Sequence, residues 1–200
     1  MCARRWGSVI ADHGQLMHAP TDTVSDWVAR WAPLMPPGQA LDLACGSGRH
    51  ARLLAGLGHP VIALDRDAQA LAAAAGEGIA TVQHDLEAPG AVWPIAPRSL
   101  AGIVVANYLH RPLFDRITAA LAPDGVLIYE TFALGNEAFG KPSNPDFLLH
   151  PGELLGLAVS GGLRVVAYED GVIARPRRAR VQRLCAVGPA FDLAAAGLDR

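Results

Sequence analysis

Lysine is nearly absent from this 200-residue chain, and its charges are almost balanced. Lys141 is the one lysine, so arginine carries nearly all of the positive charge, an excess that we attribute to genome composition. With a net charge of −2, the chain as a whole has no electrostatic attraction for nucleic acid or an anionic membrane. A binding role based on overall charge is therefore excluded, and only a local basic patch remains open.

Cysteine and long apolar runs are also scarce. Cys2, Cys45 and Cys185 are an odd number without the spacing of metal ligands, which favours reduced thiols in an intracellular protein. His, Cys and acidic residues form no cluster with zinc-like spacing, so we predict no metal site. No apolar run is long enough to span a membrane, and the first residues lack the unbroken apolar core of a signal peptide. We therefore expect a cytoplasmic protein that contacts no membrane.

Strand and helix patterns alternate along most of the chain after Gly38. Apolar runs predict strands, and segments with apolar residues at helical spacing predict helices between them. Predicted strands cover 40–43, 61–65, 81–84, 100–106, 125–131, 163–170 and 178–188, and predicted helices cover 49–57, 68–75 and 113–121. This alternation predicts a doubly wound, Rossmann-like α/β fold, with a seven-stranded, mainly parallel sheet that ends in a C-terminal antiparallel hairpin.

The first 37 residues have a different pattern. They are interrupted by prolines, and their one good helical stretch is 23–32, where valines and tryptophans recur at helical spacing. Such an apolar stripe is typical of a helix that packs on a neighbouring domain. We therefore predict a helical extension at 1–37 that packs on a core domain at 38–200.

The segment 40–50, ALDLACGSGRH, is the strongest candidate for a binding site. A short strand ends in a bend through Gly46 and Gly48, and a helix follows. Glycine lacks a Cβ and adopts positive φ, so its backbone can approach a ligand closely, and the start of a helix offers free N–H groups. We interpret Cys45 as a small buried side chain in a tight turn, with a nucleophile as the alternative. The segment predicts a nucleotide-type ligand.

Two ligand classes fit this bend. The pattern G-x-G-x-x-A at 46–51, with Asp65 at the end of the next strand, is that of a dinucleotide site, so an enzyme with a nicotinamide or flavin cofactor is one alternative. Asp42 argues against it, because an acid just before the bend would repel a pyrophosphate at short range. S-adenosylmethionine has an ammonium group, a carboxylate and no phosphate. It is therefore the better match to Asp42.

The segment 41–48, LDLACGSG, resembles motif I of the class I S-adenosylmethionine-dependent methyltransferases, and the resemblance extends through most of the chain from about Trp27. It implies that 38–200 is a class I methyltransferase domain. It also implies that the bend holds the methionine end of S-adenosylmethionine. The residues implied there are Asp42, Ala44, Gly46 and Gly48.

The same resemblance implies the other cofactor contacts. Asp65, the acid that closes the second strand, corresponds to the residue that takes the ribose hydroxyls, and Arg66 lies alongside the adenine. Asp85, after the third strand, corresponds to the acid that meets the adenine amino group, with Leu86 next to it. Asn107, after the fourth strand, is a further cofactor-binding candidate and is also expected near the acceptor.

A narrower resemblance is to small bacterial methyltransferases that are often grouped with tellurite-resistance-type enzymes. The segments that carry it follow the fourth and fifth predicted strands, at 107–112, 129–132, 135–137, 139–142, 144–147 and 150–154. The acceptors in that group are diverse or unassigned. The resemblance therefore implies kinship and leaves the substrate open.

Acceptor chemistry is expected over the carboxyl ends of the strands, where an open α/β sheet binds its ligands. Methyl transfer from a sulfonium is an in-line displacement in which alignment supplies much of the rate, although an alcohol or amine acceptor also calls for a base. The catalytic candidates are His110, Tyr108 and Glu130. His110 is either a base or acceptor contact or a structural hydrogen-bonding group. Glu130 either binds the acceptor or ties loops together.

Three more side chains have two interpretations each. Lys141 either attracts an anionic acceptor or is an exposed lysine in a turn. Arg49 and His50, on the first helix of the core, either face the site or have a solvated or capping role.

The predicted acceptor is a small molecule. The fourth strand is not followed by the Asn-Pro-Pro-Tyr or Asp-Pro-Pro-Tyr run used for planar amino groups, and we find no appended RNA-binding domain, so nucleic acid is disfavoured. The alternatives are a cofactor-binding regulatory protein without turnover, and RNA methylation through the basic C-terminal hairpin. We expect a monomer or a homodimer. The arginines of the hairpin are Arg175, Arg177, Arg178, Arg180 and Arg183.

Overall fold

A seven-stranded sheet organises the computed structural model, which describes residues 23–197. Its strands are β1 (Ala40–Leu43), β2 (Val61–Asp65), β3 (Ile79–Gln83), β4 (Leu100–Ala106), β5 (Leu121–Phe132), β6 (Arg164–Ile173) and β7 (Ala179–Val187). The strand order is β3-β2-β1-β4-β5-β7-β6. β1 to β5 are parallel, whereas β7 is antiparallel to both β5 and β6. The predicted mainly parallel sheet with a C-terminal antiparallel hairpin is therefore confirmed.

Helices cover both faces of this sheet. Between residues 23 and 197 the α-helices are α1 (Asp26–Trp31), α2 (Arg49–Gly56), α3 (Ala68–Ala74), α4 (Phe114–Ala120) and α5 (Glu153–Ser160). The first three pack on one face, and α4 and α5 pack on the other. The predicted core helices match α2, α3 and α4 to within one residue at each end. The sequence reading does not identify α5, where Gly156 in the middle weakens the helical pattern.

Local signals fix the helix starts that border the carboxyl edge of the sheet. Gly48 precedes α2 with a φ of 77°, in the left-handed region that glycine adopts readily. Asp67 caps α3, because its carboxylate accepts hydrogen bonds from Gln69 N at 2.8 Å and from Ala70 N at 3.2 Å. The loops after β1 and β2 therefore have defined geometry.

α1 packs on the face that α2 and α3 also cover. Ser25 caps it by accepting a hydrogen bond from Trp27 N at 3.2 Å. The rings of Trp27 and Trp31 are buried and meet edge to face, with 5.7 Å between their centroids. The part of the predicted 1–37 extension before Thr23, and residues 198–200 of the predicted core, lie outside the described residues. No helix between residues 23 and 197 has the length and apolar character that crossing a bilayer requires.

Alternation along β1 decides where its acid lies. Successive side chains of a strand point to opposite faces of the sheet. Leu41 and Leu43 join the apolar core under α4 and α5, whereas Ala40 joins the core on the α1–α3 face. Asp42 shares the face of Ala40 and contacts α2 there. The acid is therefore placed between the sheet and the helix that follows the glycine bend.

Candidate functional site

The bend between β1 and α2 presents backbone at the carboxyl edge of the sheet. Ala44, Gly46 and Gly48 have positive φ angles of 53°, 53° and 77°. Hydrogen bonds from Cys45 N to Leu64 O and from Gly48 N to Cys45 O, each 3.0 Å, hold the bend in place. A left-handed conformation costs a residue other than glycine about 1 kcal/mol or more. The strained Ala44 therefore marks the bend as a constrained segment, as expected of a binding loop.

The two glycines of the bend have different surroundings. A Cβ on Gly48 would lie 2.5 Å from Ala74 Cβ and 2.8 Å from Ala74 Cα, so Gly48 is needed for α2 to approach the end of α3. A Cβ on Gly46 would meet no described atom within 4 Å. Gly46 therefore borders open space into which a ligand fits, whereas Gly48 is required for packing.

Asp65, at the end of β2, connects two turns. Its Oδ2 accepts a hydrogen bond from Gly46 N at 2.8 Å, and its Oδ1 accepts one from Asp67 N at 3.0 Å. A carboxylate oxygen has lone pairs for more than one donor, so ribose hydroxyls can still donate to this half-buried group. The contact with Gly46 places Asp65 beside the open side of the bend, which fits its predicted ribose role.

Asp42 lies behind the bend. It is 1% exposed, and its Oδ2 accepts a hydrogen bond from Ala51 N at 2.8 Å in the first turn of α2. Burial raises the pKa of this carboxyl to about 7, while the bond from Ala51 N and the charge of Arg49 oppose that rise. Asp42 therefore fixes the start of α2 and offers a ligand almost no surface for direct contact.

The predicted adenine contacts lie in the turns after β2 and β3. The parallel pairing of these strands places Arg66, Asp85 and Leu86 on neighbouring strand ends. Asp85 is exposed, and its Oδ1 accepts a hydrogen bond from Glu87 N at 3.0 Å. Leu86 is half-buried against the core under α4 and α5. The structure thus brings the three residues to one end of the carboxyl edge, next to Asp65.

Tyr108 belongs to the same end of the site. Its neighbour Asn107 has a φ of 59°, and Asn107 N donates to Glu130 O at 2.9 Å. Burial, and then the nearby carboxylates of Glu87 and Asp85, raise the pKa of the Tyr108 phenol. The phenol therefore stays protonated at neutral pH and lies beside the acids that follow β3. This position favours a cofactor contact over the predicted catalytic role.

Glu130 is part of a buried ion-pair network. It is 6% exposed and pairs with Arg183, which stands directly opposite it on β7. Arg183 Nη1 also lies 3.2 Å from Glu169 Oε2 on β6, and its guanidinium carbon lies 5.8 Å from the centroid of the Trp27 ring. Trp27 Nε1 donates to Leu184 O at 3.2 Å. Glu130 is predicted either to bind the acceptor or to tie segments together, and in the structure it ties β5 to β7 through Arg183. No local pattern reveals this, because Arg183 is 53 residues away in sequence.

The two candidate histidines differ in burial. His110 is half-buried, and its carbonyl accepts a hydrogen bond from Leu113 N at 3.0 Å. His50 is 2% exposed, and its Nε2 accepts hydrogen bonds from Ser25 N and Arg49 Nε, both at 3.2 Å. Burial, and then the charge of Arg49, lower the pKa of His50 to about 3, so its ring is neutral. His50 therefore joins α1 to α2 and is neither solvated nor a proton donor at neutral pH.

The thiol of Cys45 is not activated as a nucleophile. Cys45 is 7% exposed, and burial, followed by the charges of Asp42 and Asp65, raises the pKa of its thiol. A protonated, buried thiol is a poor nucleophile. Among residues 23–197, no group of three or more His, Cys, Asp or Glu side chains is arranged to hold a metal ion.

Most arginines of the C-terminal hairpin contact other parts of the described chain. Two stack on aromatic rings, at 5.4 Å and 5.0 Å from the ring centroids, and two pair with acids. The two ring contacts and the Glu130 pair hold the hairpin against its neighbours, and the Asp170 pair joins its two strands. The pairs are Arg177 with Phe132, Arg178 with Phe139, Arg180 with Asp170, and Arg183 with Glu130.

Part of the chain is similar to a known protein family. Residues 40–125 match the model of the family described as a methyltransferase domain. This range begins at β1 and ends within β5, so it includes the bend and the strand ends that carry the candidate cofactor residues. No curated protein matches the chain.

Solved structures share the fold over about four fifths of the chain. TehB from Haemophilus influenzae is 17% identical with a TM-score of 0.66, and the match covers 82% of this chain and 62% of that one. An S-adenosylmethionine-dependent methyltransferase from Mesorhizobium loti is 19% identical with a TM-score of 0.61, covering 80% and 97%. A TehB-like S-adenosylmethionine-dependent methyltransferase from Corynebacterium glutamicum is 22% identical with a TM-score of 0.56, covering 80% and 86%. At these identities the likeness establishes a shared fold.

Proposed function

We propose that the chain is an S-adenosylmethionine-dependent methyltransferase and that it transfers a methyl group to a small molecule bound at the carboxyl edge of the sheet. The observation that carries the proposal is the contact between Gly46 and Asp65. The open side of Gly46 and the carboxylate of Asp65 meet at one point of the edge. A ligand with a compact charged end and a ribose fits that junction.

The donor side of the site extends along the ends of β1, β2 and β3. Residues 44–48 surround the methionine end, and Asp42 behind them favours an ammonium group through its charge. Asp65 accepts hydrogen bonds from the ribose. Tyr108 closes the adenine side from β4. The adenine lies among Arg66, Asp85 and Leu86.

The acceptor side lies over the ends of β4 and β5. S-adenosylmethionine supplies a methyl group on a sulfonium, so no residue has to form a covalent intermediate. Asn107 and His110 line the acceptor from the β4 side, and His110 takes a proton from an alcohol or amine acceptor. Glu130, fixed by Arg183, keeps the end of β5 in place beside them. Alignment of the nucleophile with the methyl group then supplies most of the rate.

The contacts of the arginines in the C-terminal hairpin support a small acceptor over RNA. Charges that bind RNA must reach phosphates, but Arg180 and Arg183 of the hairpin are paired with acids of the chain itself. We place the reaction in the cytoplasm, because Cys45 and Cys185 are free thiols.

Transfer of a labelled methyl group tests this function. Purified protein is incubated with S-adenosylmethionine labelled in the methyl group and with a cell extract separated into small-molecule, RNA and protein fractions. We expect the label to appear in the small-molecule fraction. Label only in RNA or in protein, or in no fraction, would contradict the proposal.

A further inference from the structure

The segment 134–148 is an Ω-type loop at the carboxyl end of β5. Its ends are joined by hydrogen bonds from Leu134 N to Leu149 O at 3.0 Å and from Leu149 N to Phe132 O at 2.9 Å. Compact loops with adjacent ends are frequently functional. Because β5 is the parallel neighbour of β4, this loop emerges beside the segment 107–110 that follows β4. It therefore borders the acceptor side of the proposed site.

The loop has an interior of its own. Asn136 is 1% exposed, its Nδ2 donates to Pro142 O at 2.9 Å, and its Oδ1 accepts from Arg180 N at 3.1 Å. Leu148, near the other end of the loop, is completely buried. Arg177 donates to Lys141 O at 2.8 Å. The loop is therefore a packed element, fixed on one side to the C-terminal hairpin.

Arg111 fixes the opposite side of the loop. Its Nε and Nη2 bind the two carboxylate oxygens of Glu153, at 2.6 Å and 3.0 Å. Its Nη1 donates to Asp146 O at 2.7 Å, and its Nη2 also donates to Leu148 O at 2.8 Å. Glu153 in turn accepts a hydrogen bond from His150 N at 2.8 Å. One guanidinium thus joins the β4 loop, the Ω-type loop and the first residue of α5.

We propose that Arg111 is a positioning residue for the methyl acceptor: it fixes the loop 134–148 against the segment that carries Asn107 and His110, so that the loop is a rigid wall of the acceptor site. This inference rests on the proposed function. Arginine is required because only a planar fork with five N–H donors can bind a carboxylate in two places and two carbonyls at once. In-line displacement depends on alignment, so displacement of this wall lowers the rate even though Arg111 does not touch the reacting atoms.

Two variants and two matched controls isolate this contact. Arg111→Lys keeps the charge and loses the fork, and Glu153→Gln keeps the size and loses the carboxylate. Arg180→Lys and Asp170→Asn make the same changes in the ion pair of the hairpin, which has an N–O distance of 2.6 Å. The side chains are 34% and 17% exposed in the Arg111 pair and 29% and 22% exposed in the Arg180 pair. A general cost of breaking a half-exposed ion pair would therefore affect both sets alike.

Methyl transfer is measured with labelled S-adenosylmethionine and serial dilutions of the small-molecule fraction of a cell extract. Affinity for S-adenosylhomocysteine is measured by calorimetry on the same proteins. For Arg111→Lys and Glu153→Gln we expect about a ten-fold loss of transfer at limiting extract, and a higher half-saturating extract concentration, with unchanged S-adenosylhomocysteine affinity. Arg180→Lys and Asp170→Asn should match the wild type in both measurements.

The outcomes separate this inference from the function on which it rests. If the wild type transfers no label, both the proposed function and this inference fail. If the wild type transfers label and the Arg111 variant has the same half-saturating concentration as the Arg180 control, the inference alone is overturned. If Arg111→Lys and Glu153→Gln weaken S-adenosylhomocysteine binding and acceptor use equally, Arg111 has a general structural role and the inference is also overturned.

Discussion

The contacts that stabilise the donor side of the carboxyl edge join residues close in sequence, whereas those on the acceptor side join residues far apart in sequence. On the donor side, Asp65 binds Gly46 N across 19 residues of sequence and Asp67 N across two. On the acceptor side, Glu130 and Arg183 are 53 residues apart. Donor-side carboxylates accept hydrogen bonds from backbone of the same or a neighbouring turn, whereas the acceptor side depends on side chains from distant segments.

This difference leads us to expect separable effects of mutation. A donor-side change should act on cofactor affinity, because Gly46 and Asp65 in the small turns there line the proposed cofactor site. An acceptor-side change acts first on the free energy of unfolding or on acceptor use, because its side chains join elements that are far apart in sequence. For each variant we therefore compare the affinity for the cofactor with the free energy of unfolding.

The largest expected loss of stability is for Glu130→Gln. This change leaves the half-buried guanidinium of Arg183 beside Trp27 without its nearest carboxylate, so the free energy of unfolding should fall by about 3 kcal/mol in a urea titration. Glu169→Gln is the control, because Glu169 binds the same arginine but its side chain is 51% exposed, and it should cost about 0.5 kcal/mol or less. S-adenosylhomocysteine affinity should stay near the wild-type value in both. Equal losses in the two variants would show that burial of the pair does not matter.

Substitution of each glycine in the bend should distinguish a packing role at Gly48 from a ligand-binding role at Gly46. Gly48→Ala drives a Cβ into Ala74 and strains a positive φ, so we expect a loss of about 3 kcal/mol in the free energy of unfolding. Gly46→Ala enters open space and should cost about 1 kcal/mol for the same positive φ. Its main effect should be a loss of S-adenosylhomocysteine affinity of about ten-fold, or 1.4 kcal/mol. Calorimetry and thermal melts on both variants test this, and the reverse assignment of the two effects would be a contradiction.

Asp65→Asn should weaken cofactor binding and also cost the fold one hydrogen bond. An amide keeps one acceptor oxygen but turns an NH2 group towards Gly46 N or Asp67 N and loses the charge. Loss of charge-assisted hydrogen bonds should weaken S-adenosylhomocysteine binding by about ten-fold to a hundred-fold in calorimetry. Asp67→Asn is the control, because asparagine caps α3 as well as aspartate does. Equal affinities of the two variants would remove Asp65 from the ribose contact.

Asp42→Asn should change how the stability of the fold depends on pH. Its carboxyl has a pKa of about 7 in the fold against 3.8 when unperturbed, so the folded state binds an extra proton between these values. Wild-type stability from this group is therefore present at low pH and lost as pH rises through about 4 to 7. Asp42→Asn lacks this loss, so its melting temperature relative to the wild type should rise from about pH 5 to about pH 8. A relative melting temperature that is constant with pH would contradict the assignment.

The same Asp42 variant tests the electrostatic argument for the ligand. The ionised carboxylate attracts an ammonium group, and asparagine does not. At about pH 8, Asp42→Asn should therefore bind S-adenosylhomocysteine more weakly than the wild type while being relatively more stable. Unchanged affinity would mean that the buried acid serves only to fix the start of α2.

The sequence predicts the donor side well because its signals are local. The strand bounds 40–43 and 61–65 match β1 and β2, and the positive φ of Gly46 and Gly48 follows from residue type. Periodicity over a few residues is enough to place these elements, and the family resemblance then orders the acids along the cofactor. The roles of these residues in binding remain predictions.

Tertiary contacts on both sides of the carboxyl edge show where a single sequence stops being informative. The pairing of Glu130 with Arg183 depends on the register of β5 against β7, which hydrophobic pattern does not fix. The direction of the Tyr108 side chain towards Glu87 depends on the packing of the β3 and β4 loops. The clash that reserves Gly48 for packing depends on the approach of α3. Each is a tertiary contact between segments that no local motif connects.

Calorimetric titration of the wild-type protein with S-adenosylmethionine, S-adenosylhomocysteine and NAD tests the central claim most directly. We expect the two sulfur compounds to bind with one-to-one stoichiometry and NAD to give no heat of binding, because the charge of Asp42 opposes a pyrophosphate beside the bend. Tight binding of NAD with no binding of either sulfur compound would contradict it.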